Sequence, residues 1–458
     1  MQYIWNILAY IINNVLPPAL MLILARILNP SDFGYFAVYF GFIGLIQGLF
    51  FTPLGEIIIK SESEYTKDYL FTIQTLLILV IGAGGWLMTS LKLVNIESQI
   101  IMAFCISLFL NSFVETSIKY SMRKAEYQHV FVRRLISPIG NAIVSIPLAL
   151  YGWSYWSLVI GQISANSFTS LYIITVTNYP KIKLKVSDLK SEYSFGSQML
   201  VQGFVKWLRS KADRVALGLT RTSSETGNYD LTRLLASLPF TSIVEPLSQV
   251  LYSSTARKKN KADIAGDYLL LQRRILSLSL PLFIFLMLNS KELIAHLLGE
   301  KYLAMNYYFN IFVLIGLCST FVGSNIEYFK SISRPEIMTR FMIIRGIFTA
   351  LFLLVSAPYG VRYLSHALLL LAVIFSPINI YITQQTMGNT LSCYFNSVLK
   401  TPLSVGMFYA MIACGIIFLD LSDLLQFIVS TILLLCTYIL SLYLFEKDLF
   451  KMVRKVLY

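Results

Sequence analysis

Charge is scarce in this chain. Asp, Glu, Lys and Arg together make 13% of its 458 residues, against 56% hydrophobic ones. A soluble globule of this length cannot cover its surface with so few charges, and the apolar residues come in many separate runs of about 20. Histidine is scarcer still: His129, His296 and His366 are scattered, and none lies near a candidate Ser or Cys nucleophile. No Walker A loop, HExxH or GxSxG is present, so neither ATP-driven transport nor hydrolytic catalysis finds a foothold, and the chain is not expected to be an enzyme. The five cysteines, Cys105, Cys318, Cys393, Cys414 and Cys436, have no CxxC spacing and lie in or beside apolar runs. Neither a disulfide framework nor a metal site is indicated. The first apolar run starts without a basic flank or a small-residue cleavage site, so it is expected to be a retained span rather than a signal peptide.

What remains is a multi-pass helical membrane protein, read as fourteen spans. Six (3–28, 34–58, 69–91, 100–118, 131–150, 155–176) form an N-terminal lobe, residues 1–176. A polar linker, 177–194, leads to a C-terminal lobe, 195–386, with six more (195–219, 228–251, 268–288, 306–329, 337–355, 363–381). Two additional spans (403–419, 424–444) and a basic tail fill 387–458. The expected fold is thus all-α, two pseudo-symmetric six-helix lobes plus two C-terminal helices. In and beside the loops after even-numbered spans, tail included, stand 23 Lys and Arg, against 6 at the odd-numbered ones. That bias places both termini and the linker in the cytoplasm. It also accounts for the net charge of +13 without nucleic acid.

A weak repeat near 200 residues supports two parallel halves. Asp32-Phe33-Gly34-Tyr35 resembles Thr226-Gly227-Asn228-Tyr229, and Lys67-Asp68-Tyr69-Leu70 resembles Gly266-Asp267-Tyr268-Leu269. Pro17-Pro18, Gly82, Gly84, Gly85, Pro239, Pro246, Pro281 and Pro377 interrupt spans and suit moving parts, although such residues are common in membrane helices.

Charges inside the spans are unevenly spread. Apart from the residues already counted with the loops, the second half holds eight basic and four acidic residues within its spans, and the first half only the acids Glu56 and Glu115. The seventh span is the extreme case, with Lys206, Arg209, Lys211, Asp213 and Arg214 in FGSQMLVQGFVKWLRSKADRVALGL (195–219). As one continuous helix it would carry Lys206, Arg209 and Asp213 on a single face, with Arg209 and Asp213 able to pair and Lys211 behind. A charge facing lipid costs at least ~2.5–3.5 kcal/mol, so that face should line a wet cavity or a partner helix. The candidate cargo-binding residues are Lys206, Arg209, Asp213, Arg214, Arg233, Arg345 and Arg26. Arginine forks and lysine point charges in a cavity suit an anionic cargo, such as phosphate, diphosphate or sugar carboxylate. Glu56 and Glu245 are candidates for charge pairing, ion coupling or contact with sugar hydroxyls.

Three stretches carry a family resemblance. ARILNPSDFGYFA (25–37), KADRVALGLTRTSSETGNYDLTRLLASLP (211–239) and HLLGEKYLAM (296–305) look like the turn after the first span, the opening of the second lobe and the segment before the tenth span of polysaccharide and O-antigen flippases. These belong to the multidrug/oligosaccharidyl-lipid/polysaccharide exporter superfamily. The resemblance implies alternating access in the bacterial inner membrane. It implies as cargo a lipid-linked oligosaccharide, commonly on undecaprenyl diphosphate, moved from the cytoplasmic to the outer leaflet for O-antigen, capsule or exopolysaccharide synthesis. The expected partners are that cargo, the bilayer, and a polysaccharide polymerase with its chain-length machinery. No cofactor is expected, with proton or sodium coupling left open. The rival reading is a cation-coupled antiporter of small molecules on the same fold, which would favour acidic over basic cavity residues.

Overall fold

The computed structural model describes residues 2–60, 66–91, 98–124, 126–176, 179–183, 193–255, 260–417 and 423–445. Most of the expected linker (177–194) and the basic tail beyond 445 lie outside these. Among the described residues the chain is almost wholly helical, without a strand, and, with short helical turns at 290–305 between the ninth and the tenth, fourteen of its helical stretches overlap the expected spans. They are α1 (Gln2–Ile27), α2 (30–60), α3 (Thr66–Ser90), α4 (Ser98–Arg123), α5 (Tyr127–Leu150), α6 (Tyr155–Val176), α7 (193–220), α8 (223–255), α9 (Lys261–Leu288), α10 (306–331), α11 (Pro335–Ser356), α12 (Val361–Met387), α13 (391–417) and α14 (Asp423–Phe445). By length and hydropathy alone, nine described helices can cross a membrane, and the shorter apolar stretches Asn14–Ile27 and Leu425–Thr437 add to them.

Local chemistry sets several of these elements. Asn29 caps α2 with Pro30 in its first turn, and the carboxylate of Asp32 accepts the Asn29 N–H at 2.9 Å, closing a capping box. Farther along, α2 widens into one π-type turn at Gln47–Phe51, and α8 does the same at Phe240–Val244. Pro53 and Pro246 explain both. Each lacks an amide and would clash with the carbonyl four residues back, and the widened turn just upstream absorbs the mismatch. The two wide turns, and the two prolines, stand 193 residues apart. The repeat seen faintly in sequence therefore runs the length of α2 and α8.

A second correspondence lies inside the helices. On α3, buried Gln74 accepts hydrogen bonds from Ser112 (2.5 Å) and Thr116 (3.1 Å) of α4. On α9, buried Gln272 accepts one from Ser324 and donates to the Thr320 carbonyl (2.8 Å), both of α10.

By internal packing the chain divides into two units. One comprises Met1–Asp230 with Leu353–Gly360, the other Leu231–Phe352 with Val361–Tyr458. Within the first, residues 179–183 are stapled to the start of α3. Asp68 accepts the Lys181 N–H (3.0 Å) and pairs with Lys183 (2.9 Å), and Thr72 accepts the Lys183 N–H (2.9 Å). Within the second, Tyr268, Tyr328, Phe329, Phe341 and Phe375 build an aromatic core around buried Asn325. Asn325 accepts from Tyr268 Oη (2.6 Å) and donates to Asn379 (2.7 Å) and Thr383 (3.0 Å), so it ties α9, α10 and α12 together. Asn325→Ala strands several buried polar groups at once and is expected to lower stability by about 2–4 kcal/mol. A thermal unfolding scan in detergent checks this; an unchanged midpoint contradicts it.

Candidate functional site

The seventh span is not one straight helix. It is two, Tyr193–Ser210 and Ala212–Thr220, broken at Lys211, whose backbone leaves the helical region (φ −136°, ψ −19°). The expectation of one face shared by Lys206, Arg209 and Asp213 is corrected accordingly: the break puts Asp213 on a separate segment. No proline or glycine marks the spot, so tertiary contacts set it. On the first segment Gly203 lies against the Gly48 backbone, and Trp207 Nε1 donates to the Gly41 carbonyl (2.9 Å). Lys211 continues this face. Its ammonium lies 4.1 Å from the centre of the Phe40 ring, with the rest of its chain over Gly44. With Gly203 and Trp207 turned to α2, Arg209 lies on the opposite side of its segment and Lys206 at the flank. Both are exposed on the protein surface.

The second segment is held by α8 instead. Asp213 is buried and accepts a hydrogen bond from Tyr229, itself fully buried. Arg214 pairs with Asp230 at 2.8 Å, and both are largely covered. Around the break, the four cations Lys206, Arg209, Lys211 and Arg214 face two carboxylates, Asp213 and Asp230.

The other candidates are placed separately. Arg26 is exposed at the end of α1. Glu56 forms an ion pair with Lys119 of α4 at 2.5 Å. Arg233, Glu245 and Arg345 belong to the second unit. Arg233 and Arg345 are half-buried on α8 and α11, and Glu245 is exposed where α8 leaves its wide turn. Asp230 and Tyr229 were missed as partners because each lies 16 residues from the group it holds. The signal was Tyr229-Asp230, an aromatic hydroxyl and a carboxylate side by side within an expected span.

Glycine sets how closely α2 approaches α7 and the start of α8. A side chain on Gly34 would meet the Ser223 backbone, and one on Gly227 would meet the Pro30 carbonyl and lie 2.7 Å from Gly34 N. Gly41 and Gly218 are filled from the partner helix by Val215 and Val38. The two turns thus meet backbone to backbone.

Residues 23–307 match the family described as "Polysaccharide biosynthesis protein". The chain is 22% identical over 346 residues to the succinoglycan biosynthesis transport protein ExoT of Rhizobium meliloti (strain 1021), covering 71% of this chain and 68% of that protein. It is 24% identical over 148 residues to the teichuronic acid biosynthesis protein TuaB of Bacillus subtilis (strain 168), covering 32% of this chain and only 31% of TuaB. Among solved structures it superposes on the lipid II flippase MurJ in an inward closed conformation. The TM-score is 0.77 at 12% identity, over 98% of this chain and 100% of that one. An inward-facing MATE multidrug transporter of the MOP superfamily gives a TM-score of 0.59 at 13% identity, over 85% and 95%. At these identities the structural likenesses show the fold alone.

Proposed function

Because this chain belongs to the polysaccharide biosynthesis protein family, we propose that it is a flippase. On this reading it carries a lipid-linked oligosaccharide, most simply an undecaprenyl diphosphate, from the cytoplasmic to the outer leaflet by alternating access. The observation that carries the reading is the pair Lys206 and Arg209, two exposed cations on the first segment of α7, Arg209 opposite the face packed on α2 and Lys206 at its flank. A diphosphate supplies the matching anion. An antiporter of cationic drugs would need acids there. Arg233 and Arg345 are proposed as cargo contacts from the second unit, and Arg26 as one at the mouth. Glu56, paired with Lys119, is assigned to charge balance. Glu245 keeps the ion-coupling role. In cells lacking the transporter, this chain should restore surface glycan and clear the lipid-linked precursor from the cytoplasmic leaflet. Precursor that stays inside despite normal accumulation of the chain contradicts the proposal.

The direction of transport depends on orientation, and the loop charges support cytoplasmic termini. Cysteines at Lys181 and Lys261 should resist a membrane-impermeant thiol reagent in intact cells and react after lysis. Labelling of intact cells would reverse the orientation.

A further inference from the structure

Four interhelical turns, the last of them up to Gly360, belong to the first unit, at the end that the charge rule places outside, and they form two matching pairs. The turn opening α2 reads Ser31-Asp32-Phe33-Gly34 and the turn opening α8 reads Ser224-Glu225-Thr226-Gly227, again 193 residues apart. The turn before α6 reads Tyr151-Gly152-Trp153-Ser154-Tyr155, and the turn before α12 reads Tyr359-Gly360-Val361-Arg362-Tyr363. Gly152 and Gly360 both take the left-handed backbone that favours glycine (φ +82° and +95°). Asn29–Tyr35, Trp153–Tyr155, Arg221–Gly227, Tyr359 and Gly360 all lie within that unit.

Each acidic turn holds one Tyr-Gly turn. Asp32 uses Oδ2 for its capping bond to the Asn29 N–H and receives the Ser154 hydroxyl on Oδ1. Tyr35 adds ring contact to Tyr155, with centroids 5.3 Å apart. In the second pair, Thr222 accepts the Glu225 N–H (3.3 Å), which puts Glu225 at the capping position that Asp32 fills in α2. Glu225 pairs with Arg221 at 3.1 Å, and this ion pair lies flat on Gly360, where an added Cβ would stand 2.7 Å from Glu225 Oε1 and 3.1 Å from Arg221 Nη2. A plain helix cap accounts for one carboxylate oxygen of Asp32; the second oxygen is spent on another turn. Between the two acidic turns the contact is of a different kind: Gly34 against Ser223, and Gly227 against Pro30 and Gly34, backbone on backbone.

We infer that Asp32 and Glu225 are positioning residues, each fixing a Tyr-Gly turn to form one rigid clamp, and that the outer seal opens only along the Gly34–Gly227 seam between the clamps. The Ser154–Asp32 bond and the Tyr35–Tyr155 ring contact in the first clamp are directional, and in the second the Arg221–Glu225 ion pair packs closely on Gly360, whereas the glycine seam offers close packing with few polar bonds to break. The inference concerns how the chain opens and holds whatever cargo it carries.

The test measures distances between spin labels in a background with the five native cysteines replaced. Labels at Ser31 and Trp153 report within the first clamp, labels at Ser224 and Tyr359 within the second, and labels at Ser31 and Ser224 across the seam. Gly34→Val should lengthen the Ser31–Ser224 distance and leave the other two as sharp as in the parent. Should Gly34→Val not accumulate, Gly34→Ala gives the same split with smaller displacement. Asp32→Ala should broaden the Ser31–Trp153 distance alone, and Asp32→Asn should restore it, since an amide oxygen still accepts the Ser154 hydroxyl. Glu225→Ala should broaden only the Ser224–Tyr359 distance. The inference is overturned if Gly34→Val widens all three distances together, or if Asp32→Ala leaves Ser31–Trp153 unchanged. Neither outcome depends on glycan transport, so a failure here is distinct from a failure of the flippase assignment.

Discussion

Gly34→Val should abolish transport, whereas Gly84→Val should leave it at the parent level. The first position sits where α2 meets the turn before α8, with the Ser223 carbonyl carbon 2.5 Å and Cα 2.8 Å from where a Cβ would be built. Backbone atoms cannot rotate aside as a flexible side chain would, so the helices must separate. Overpacking of this kind costs about 1–3 kcal/mol. At 1.4 kcal/mol per decade, that moves the balance between sealed and open states by roughly ten- to a hundredfold. Gly84 lies on α3 with nothing within 4 Å of the same construction, so it controls for the general effect of valine in a membrane helix. Surface glycan at matched protein levels is the readout. Transport by Gly34→Val at the parent rate would show that the close approach has no part in the cycle.

The second large effect is expected at Arg209. Losing one charge-assisted contact to a diphosphate costs about 1.5–3 kcal/mol, so Arg209→Ala should lower apparent affinity roughly ten- to a hundredfold while the protein still inserts. Arg209→Lys should recover only part, because the forked geometry is lost. Lys206→Ala should act in the same direction. The neighbouring pairs behave otherwise. Tyr229→Phe removes the bond to Asp213 that ties α7 to α8, and it should cost about 1–3 kcal/mol of stability with little change in affinity at matched folded protein. Affinity and thermal stability measured on the same preparations separate the two classes. A loss of affinity in Tyr229→Phe as large as in Arg209→Ala would merge them into one site.

The rods were legible because each is an apolar run bounded by polar residues. The break in α7 was not. Arg-Ser-Lys-Ala-Asp-Arg is a good helical sequence, and the helix stops there only because Lys211 lies over Gly44 and Phe40 while Asp213 is taken by Tyr229. The partner of Glu56 was equally hidden, since Lys119 is 63 residues away on another rod. The internal repeat was half visible because its offset drifts. It is 193 residues in α2 and α8, 199 at Asp68 and Asp267, and 208 at the Tyr-Gly turns. A single register finds only fragments of it. The Asn29–Asp32 capping box, by contrast, is local and could have been read directly.

The assignment as a flippase meets its most direct test in proteoliposomes. The purified chain is reconstituted with a lipid diphosphate-linked oligosaccharide, and the fraction of glycan reached by an external glycosidase is followed over time. Protein-dependent movement of the glycan between leaflets, weakened roughly ten- to a hundredfold at limiting cargo by Arg209→Ala, is the predicted result. Vesicles in which the glycan stays on its original leaflet, while a small cation exchanges against a proton or sodium gradient, would contradict it and identify the chain as an antiporter.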